Sequence, residues 1–410
     1  MRLPSLFTLI AALGSCTTES SSESPIEQPE CRTSTQCSGA KPLCGKDGSC
    51  QALPIGHQLG VGDGTPASVA IVPIYQPDQP LEATDIGFHP TRPNELWVLR
   101  RAFESSKPCD EDNKTAAGCA ALESTVAIVV NAGMPDVSWK VYKDPNAWHF
   151  MRRAPAFAFG ANDTFASCAE ARTANFLDDQ VDYIGPTLWS SDPMKFTKQP
   201  LGGNGAHLDM LHGSPFSMGI AHDQANSYWV FNGKLGSLDR YDFKLDHGPG
   251  QEDHSDGEMR RYVQGQLTRA PGIPSHMAIE QSSRELYVAD TGKARIIKLA
   301  MESGTPAGKA TPNYDGLKVY QRIDGAMLEE VVPPGTLTAP SGLELHDDLV
   351  FVSDNATSRL YAFDLDGKLV RMLDTGMPPG TLAGLAFGPD GRLYFADKLK
   401  GWVYRIEPVL

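Results

Sequence analysis

The chain has 410 residues, with 36 Lys and Arg against 50 Asp and Glu, for a formal net charge of −14. That length suits one large all-β domain or two ordinary domains. The acidic balance excludes a nucleic-acid groove, which needs concentrated positive charge; it is that of an acidic soluble surface, and it also favours a cation.

Residues 1–15 read as an export signal. Arg2 supplies the positive start, and Leu6 to Leu13 form an apolar stretch too short to span a bilayer. The stretch ends in Leu13-Gly14-Ser15-Cys16, which resembles the lipobox of bacterial lipoproteins. The resemblance implies that Cys16 is lipidated and begins the mature protein. Thr17 rather than Asp follows it, which in that family points to the outer membrane. The implied location is the bacterial cell envelope, with the lipid bilayer as partner through an N-terminal acyl anchor; ordinary secretion is the alternative. Residues 16–30 are rich in Ser, Glu and Pro and read as a flexible tether.

Export permits disulfides. Residues 31–50 carry Cys31, Cys37, Cys44 and Cys50 among Gly, Ser and Lys, too little apolar surface for a core. Two disulfides within this segment are expected, in a pairing the spacing leaves open. A zinc knuckle would prefer closer Cys pairs and a reducing compartment. Cys109 and Cys119 flank a polar insertion, SKPCDEDNKTAAGC, and are expected to close it as a disulfide. Cys168 is left without an assigned role.

Residues 66–406 read as one β-propeller. Short inner strands begin at DIGF (85–88), AFAF (156–159), SMGI (217–220), HMAI (276–279), GLEL (342–345) and GLAF (384–387). Second strands follow most of them, ELWVLR and SYWVFN first. The last three units repeat one phrase: RELYVADTGKARIIKL, DLVFVSDNATSRLYAF and GRLYFADKLKGWVYRI. Period-two alternation and aromatic or β-branched content favour strands over helices. Such units stack radially because none buries both faces alone. The unit around 156–196 is the faintest, and part of it can be read as helical. The count is six blades, with PASVAIVPIY (66–75) free to close the ring by completing the last. The fold class is therefore all-β, a six-bladed propeller behind a short disulfide-rich segment.

The phrases around Ala339-Pro340-Ser341-Gly342-Leu343, Leu286-Tyr287-Val288-Ala289-Asp290 and Arg295-Ile296 resemble NHL-repeat propellers. The resemblance is good over 270–406 and implies a fold that hosts many functions. Asp290, Asp354 and Asp397, each ending a second strand, are expected to cap turns.

The first residue of each inner strand is Asp85, Ala156, Ser217, His276, Gly342 or Gly384. Small residues suit the narrow axis; Asp85 and His276 are exceptions from opposite blades, with Ser217 available to join them. The stretch GNGAHLDMLHGS places His207, Asp209 and His212 before an inner strand, at what reads as the same mouth. His207, His212 and His276, with Asp85 or Asp209 as a further ligand, can hold a divalent metal such as zinc, copper or calcium. Ordinary polar loop histidines are the rival reading. The loop at 246–256 offers Asp246, Glu252, Asp253 and Asp256 to calcium without the ordered spacing of an EF-hand.

Propellers resembling this one include a zinc-dependent amidating lyase, whose histidine ligands start inner strands directly after a proline. Here Ser275 separates Pro274 from His276. Calcium-dependent lactonase propellers hold their axial ion with acidic and Asn residues, a set that Asp85 alone does not reproduce. No Gly-x-Ser-x-Gly elbow, His-Glu-x-x-His motif or phosphate loop occurs. The function expected is a surface-tethered propeller that binds a metal ion, a small molecule or a peptide at the channel mouth. The alternative is a metal-dependent hydrolase or lyase, lactonase-like or amidating-lyase-like, using the same histidines.

Overall fold

A computed structural model describes residues 29–31, 36–37, 41, 43–44, 47–52, 56–79, 81–101, 123–174 and 182–408. Cys16, Cys109 and Cys119 lie outside them. Among the described residues no helix is long and apolar enough to cross a membrane.

Six antiparallel blades surround one axis. Blade one is Glu82–Phe88, Glu95–Arg101, Ser124–Val130 and Ser138–Tyr142. Blade two is Phe157–Phe159, Thr164–Ser167, Thr187–Ser190 and Asp209–Met210. Blades three, four and five start at Ser217–His222, Met277–Glu280 and Pro340–His346. Blade six is Leu382–Phe387, Leu393–Asp397 and Trp402–Pro408, completed by Val69–Tyr75 from the other end of the chain. The stretch expected to close the ring therefore does so, and this pairing removes the open edge that Trp402–Pro408 would otherwise present.

Second strands are apolar on both faces because each lies between two neighbouring blades. Leu96, Trp97, Val98 and Leu99 are all fully buried, as are Tyr228, Trp229, Val230 and Phe231. The apolar side chains group into wedges between adjacent blades. Trp97, Phe165 and Trp189 fill the wedge between blades one and two, and Trp97 meets Phe165 edge-on at 5.2 Å. Leu360, Leu385 and Phe395 fill the one between blades five and six. A continuous core thus follows the ring around the axis.

Blade two is built of four short strands with a helical turn, Pro193–Phe196, between the third and the fourth, and the fourth falls within the stretch that holds His207 and His212. Asp209–Met210 pairs with Thr187–Ser190, so His207 and His212 flank an outer strand. Blade three is wider than expected. Its outer strand Glu258–Tyr262 pairs in parallel with Val319–Asp324, which pairs in turn with Thr305–Lys309. This hairpin leaves blade four between Arg295–Ala300 and Leu328–Val332 and extends its neighbour.

Asp354 and Asp397 cap turns as expected, while Asp290 makes no cap bond to the turn it precedes. Asp354 accepts from the backbone N–H groups of Thr338, Ala339 and Thr357, and Asp397 from those of Leu399 and Lys400. Asp290 accepts from Thr268 N–H and pairs with Arg295. The N-terminal segment closes two disulfides, Cys31–Cys44 and Cys37–Cys50.

Removal of residues 66–75 takes away the closing strand and re-exposes the edge at 402–408. The expected outcome is self-association on size-exclusion chromatography and loss of a single cooperative unfolding transition. A monomeric truncation that unfolds cooperatively would show that closure is dispensable.

Candidate functional site

The inner strands start so close together that side chains compete for the axis. A Cβ placed on Gly219 would stand 1.9 Å from Ser275 O, and one on Gly342 would stand 2.2 Å from Ala383 O. On Gly384 it would meet Asp85 Cα at 2.7 Å and His276 Cε1 at 3.0 Å. The pairing register fixes the equivalent positions. Ile86, Phe157, Ile220, Met277, Leu343 and Leu385 each pair with the matching residue of their second strand. The residues before them form the innermost ring: Asp85, Ala156, Gly219, His276, Gly342 and Gly384. Ser217, expected there, lies two residues earlier. It is buried, and its hydroxyl donates to Ser214 O.

His276 therefore reaches into space that its ring neighbours leave empty. Its Nδ1 lies 3.6 Å from Asp85 Oδ1, and its Nε2 lies 3.5 Å from Pro155 O. Asp85 is held from both sides, Oδ1 accepting from Ile86 N–H at 2.8 Å and Oδ2 from Phe157 N–H at 2.9 Å. Next outward is a second ring: Gly87, Ala158, Ala221, Ala278, Glu344 and Ala386. All six of these positions line one axial cavity of about 390 Å³, together with Asp85 and His276. Phe88, Phe159 and Phe387 also wall this cavity. Glu344 is the one ionisable member of the second ring, and sequence reasoning missed it. The signal was available, because Glu344 interrupts a column of Gly and Ala two residues beyond the first ring position.

Burial governs the charge state on the axis. It pushes Asp85 up to about 8 against the pull of its two amide donors, and Glu344 up to about 8 with help from Asp85. It lowers His276 to about 4. The surroundings of the cavity thus favour protonated carboxyls and a neutral imidazole, which donate or accept hydrogen bonds without carrying charge. Cys168 is a buried free thiol whose proton burial holds tightly, so it is not a nucleophile.

The four residues expected to share a metal divide into two groups. Asp85 and His276 meet on the axis. His207 and His212 belong to the outer part of blade two, where the loop after the third strand of blade three comes over them. There the His254 Nδ1 meets Asp209 Oδ1 at 2.6 Å. The ring centres of His207 and His212 stand 5.9 Å and 6.2 Å from that of His254. His207 stacks on Phe150 and His212 on Tyr183. The physical reason is the strand Asp209–Met210, which carries both histidines to the rim. Of the histidines at the ends of inner strands, His89 and His222 bond turn backbone, whereas His346 stacks on Phe387. His89 Nδ1 accepts from Arg92 N–H at 3.2 Å, and His222 Nε2 meets Ala225 O at 2.9 Å.

Among the described residues, two groups of three or more ligand-type side chains converge: Asp209 with His247 and Asp256, and Cys31 with Cys37 and Cys50. The cysteines are spent in disulfides. The histidine–aspartate group fits a divalent cation, since it mixes imidazole nitrogen with carboxylate oxygen.

No protein-family model and no curated protein matches the chain. Solved structures are similar to it at low identity. An auxiliary nutrient binding protein of Bacteroides ovatus is 11% identical, over 86% of this chain and 76% of that one, with a TM-score of 0.49. A gluconolactonase of Xanthomonas campestris is 12% identical, over 87% and 93%, with a TM-score of 0.47. Regucalcin, a calcium-binding protein of Agrobacterium tumefaciens, is 12% identical, over 83% and 96%, also at 0.47. The chemistry of the site rests on its own residues.

The axial assignment fixes a pH signature. An unfolded Asp loses its proton near 3.8, whereas Asp85 keeps its own until about 8. Between those values the unfolded chain binds fewer protons, so the contribution of Asp85 to stability falls as pH rises and is flat above 8. Asp85→Asn has no such slope. The stability of the variant minus that of the wild type should therefore rise from pH 4 to 8, by at most about 1.4 kcal/mol per pH unit. The difference cancels the opposite contribution of His276, which both proteins share. Denaturant unfolding at pH 5, 7 and 9 measures it, and a pH-independent difference would place Asp85 in water.

Proposed function

We propose that this protein is an envelope-tethered, NHL-like propeller that binds a small polar molecule in its axial cavity. One observation carries the reading: Asp85, His276 and Glu344 replace Gly or Ala at three positions of two otherwise small-residue rings, and all three line one cavity. Evenly small residues would satisfy packing. Two buried ionisable groups and a half-buried third cost folding energy unless a ligand uses them. With protonated carboxyls and a neutral imidazole, the cavity suits an uncharged hydrogen-bonding ligand such as a polyol, sugar or lactone, with the phenylalanines covering its apolar face.

Hydrolysis or elimination is the second reading, and the Asp85–His276 pair favours it. An acid and a free base 3.6 Å apart can move a proton to a leaving oxygen and take one from water or from a C–H group. Any metal taking part would have to be held by Asp85, Glu344 and His276, because His207 and His212 flank the outer strand of blade two.

A panel of lactones, esters and polyols separates the two readings. Binding followed by calorimetry should weaken at least tenfold in Asp85→Asn and Glu344→Gln. Turnover of a lactone or ester that disappears in His276→Ala would make the protein an enzyme; binding without turnover would make it a receptor. Equal binding by wild type and all three variants would remove the axis from the function.

The tether has its own test. Intact-mass analysis of the membrane fraction should find a mature chain beginning at Cys16 and carrying acyl chains. Cys16→Ser should release the protein from the membrane. An unmodified start elsewhere would make the protein a secreted one.

A further inference from the structure

The rim of blade two holds a cluster that the axial reading leaves unused. Asp209 is wholly buried. Its Oδ1 takes both Met210 N–H and the His254 Nδ1, while its Oδ2 has no hydrogen-bond partner among the described residues. His247 Nε2 meets Asp256 Oδ1 at 2.8 Å. Ligand atoms of Asp209, His247 and Asp256 lie within 4.8 Å of one another. At metal–ligand bonds of about 2.0–2.2 Å, neighbouring ligand atoms stand roughly 3–3.5 Å apart. Small side-chain shifts close that gap, since His247 and Asp256 sit in a loop and are only partly buried or exposed.

The surroundings show orientation of a kind that simple packing does not need. His212 is 2% exposed. Its Nδ1 is fixed by Asp315 Oδ1 at 2.6 Å, and Asp315 Oδ2 also takes the His212 backbone N–H. That carboxylate sets the tautomer and leaves Nε2 bare, and Nε2 has no partner among the described residues. His207, 1% exposed, differs: Asn204 O meets its Nδ1, and the Gln251 carbonyl also acts on the ring. A buried imidazole with one nitrogen tied to a carboxylate or carbonyl and the other bare is how proteins present metal ligands. In the described ion pairs, moreover, Asp209, Asp256 and Asp315 are partnered by histidine and by no Lys or Arg.

We infer that Asp209, His247, His254 and Asp256 form a binding site for one divalent transition-metal ion of the zinc class, on the rim between blades two and three. His254 releases Asp209 Oδ1 to the ion and becomes a ligand itself. His212 stands ready to supply a further nitrogen. Imidazole ligands favour zinc, nickel or copper over calcium or magnesium, which prefer an all-oxygen shell. The site is independent of the axial cavity and joins two blades, so the ion would clamp the blade-three loop onto the outer strand of blade two.

Zn²⁺ itself is the probe. Full-length protein, stripped with a chelator, is titrated with Zn²⁺ by calorimetry, and with Ca²⁺ in parallel. The expected result is one Zn²⁺ per chain, tighter than Ca²⁺, with a rise in melting temperature. His247→Ala and Asp256→Ala should each weaken it at least tenfold, while their chelated forms melt like the chelated wild type. Asp209→Asn should abolish binding, and His276→Ala should leave it unchanged. Unchanged affinity in both loop variants, absence of Zn²⁺ binding, a preference for Ca²⁺, or loss in His276→Ala would each overturn the assignment. None of these results alters the axial variants' effect on small-molecule binding.

Discussion

A Cβ on Gly384 would stand 2.7 Å from Asp85 Cα, and one on Gly219 would stand 1.9 Å from Ser275 O. Packing this close is imposed by closing the ring, in which Val69–Tyr75 pairs with Trp402–Pro408 and holds blade six against blade one. Once the inner strands converge, small residues are required at most axial positions. The same closeness surrounds an ionisable group there with protein, which disfavours its charged form. Burial is the main reason that Asp85 and Glu344 are raised and His276 is lowered, with Asp85 adding to the shift of Glu344. Architecture thus sets the chemistry of the axis before any ligand arrives.

The axis was legible in sequence because both of its determinants are local. The position of an inner strand shows as a short apolar run, and its ring residue stands out when it is not small, as Asp85 and His276 do. Blade three misled the alignment because Ser217-Met218-Gly219-Ile220 offers two small residues in one run. A β-bulge between Ser217 and Ile220 makes Gly219 the axial residue. Glu344 went unread because only one ring was considered, although the channel is more than one residue deep.

The rim could not be read in the same way, because it is assembled from three separated stretches. Residues 207–212 form an outer strand too short to show a periodicity, since Asp209–Met210 is a two-residue pairing. The loop at 247–256 reads as solvated Gly and Asp. Asp315 arrives on the hairpin inserted between strands of blade four, which pairs in parallel with blade three. Nothing in the spacing of His212 and Asp315 announces a contact of 2.6 Å. Parallel pairing across blades is a tertiary choice, and neither side carries a turn signal for it.

The two groups also differ in what their carboxylates are free to do. On the axis, both oxygens of Asp85 already accept a backbone N–H, from Ile86 and from Phe157. That anchoring fixes the side chain as part of the wall, and burial keeps its proton on. Such a group donates one hydrogen bond to a neutral ligand more readily than it gives a lone pair to a cation. At the rim, Asp209 keeps one oxygen without a partner and shares the other with an imidazole. The neighbouring His212 turns a bare nitrogen away from the carboxylate that orients it. A cation there would pair the orphaned atoms without displacing any backbone hydrogen bond. The same residue types, Asp and His, therefore act as a proton-bearing wall where the backbone satisfies them, and as ligands where it does not.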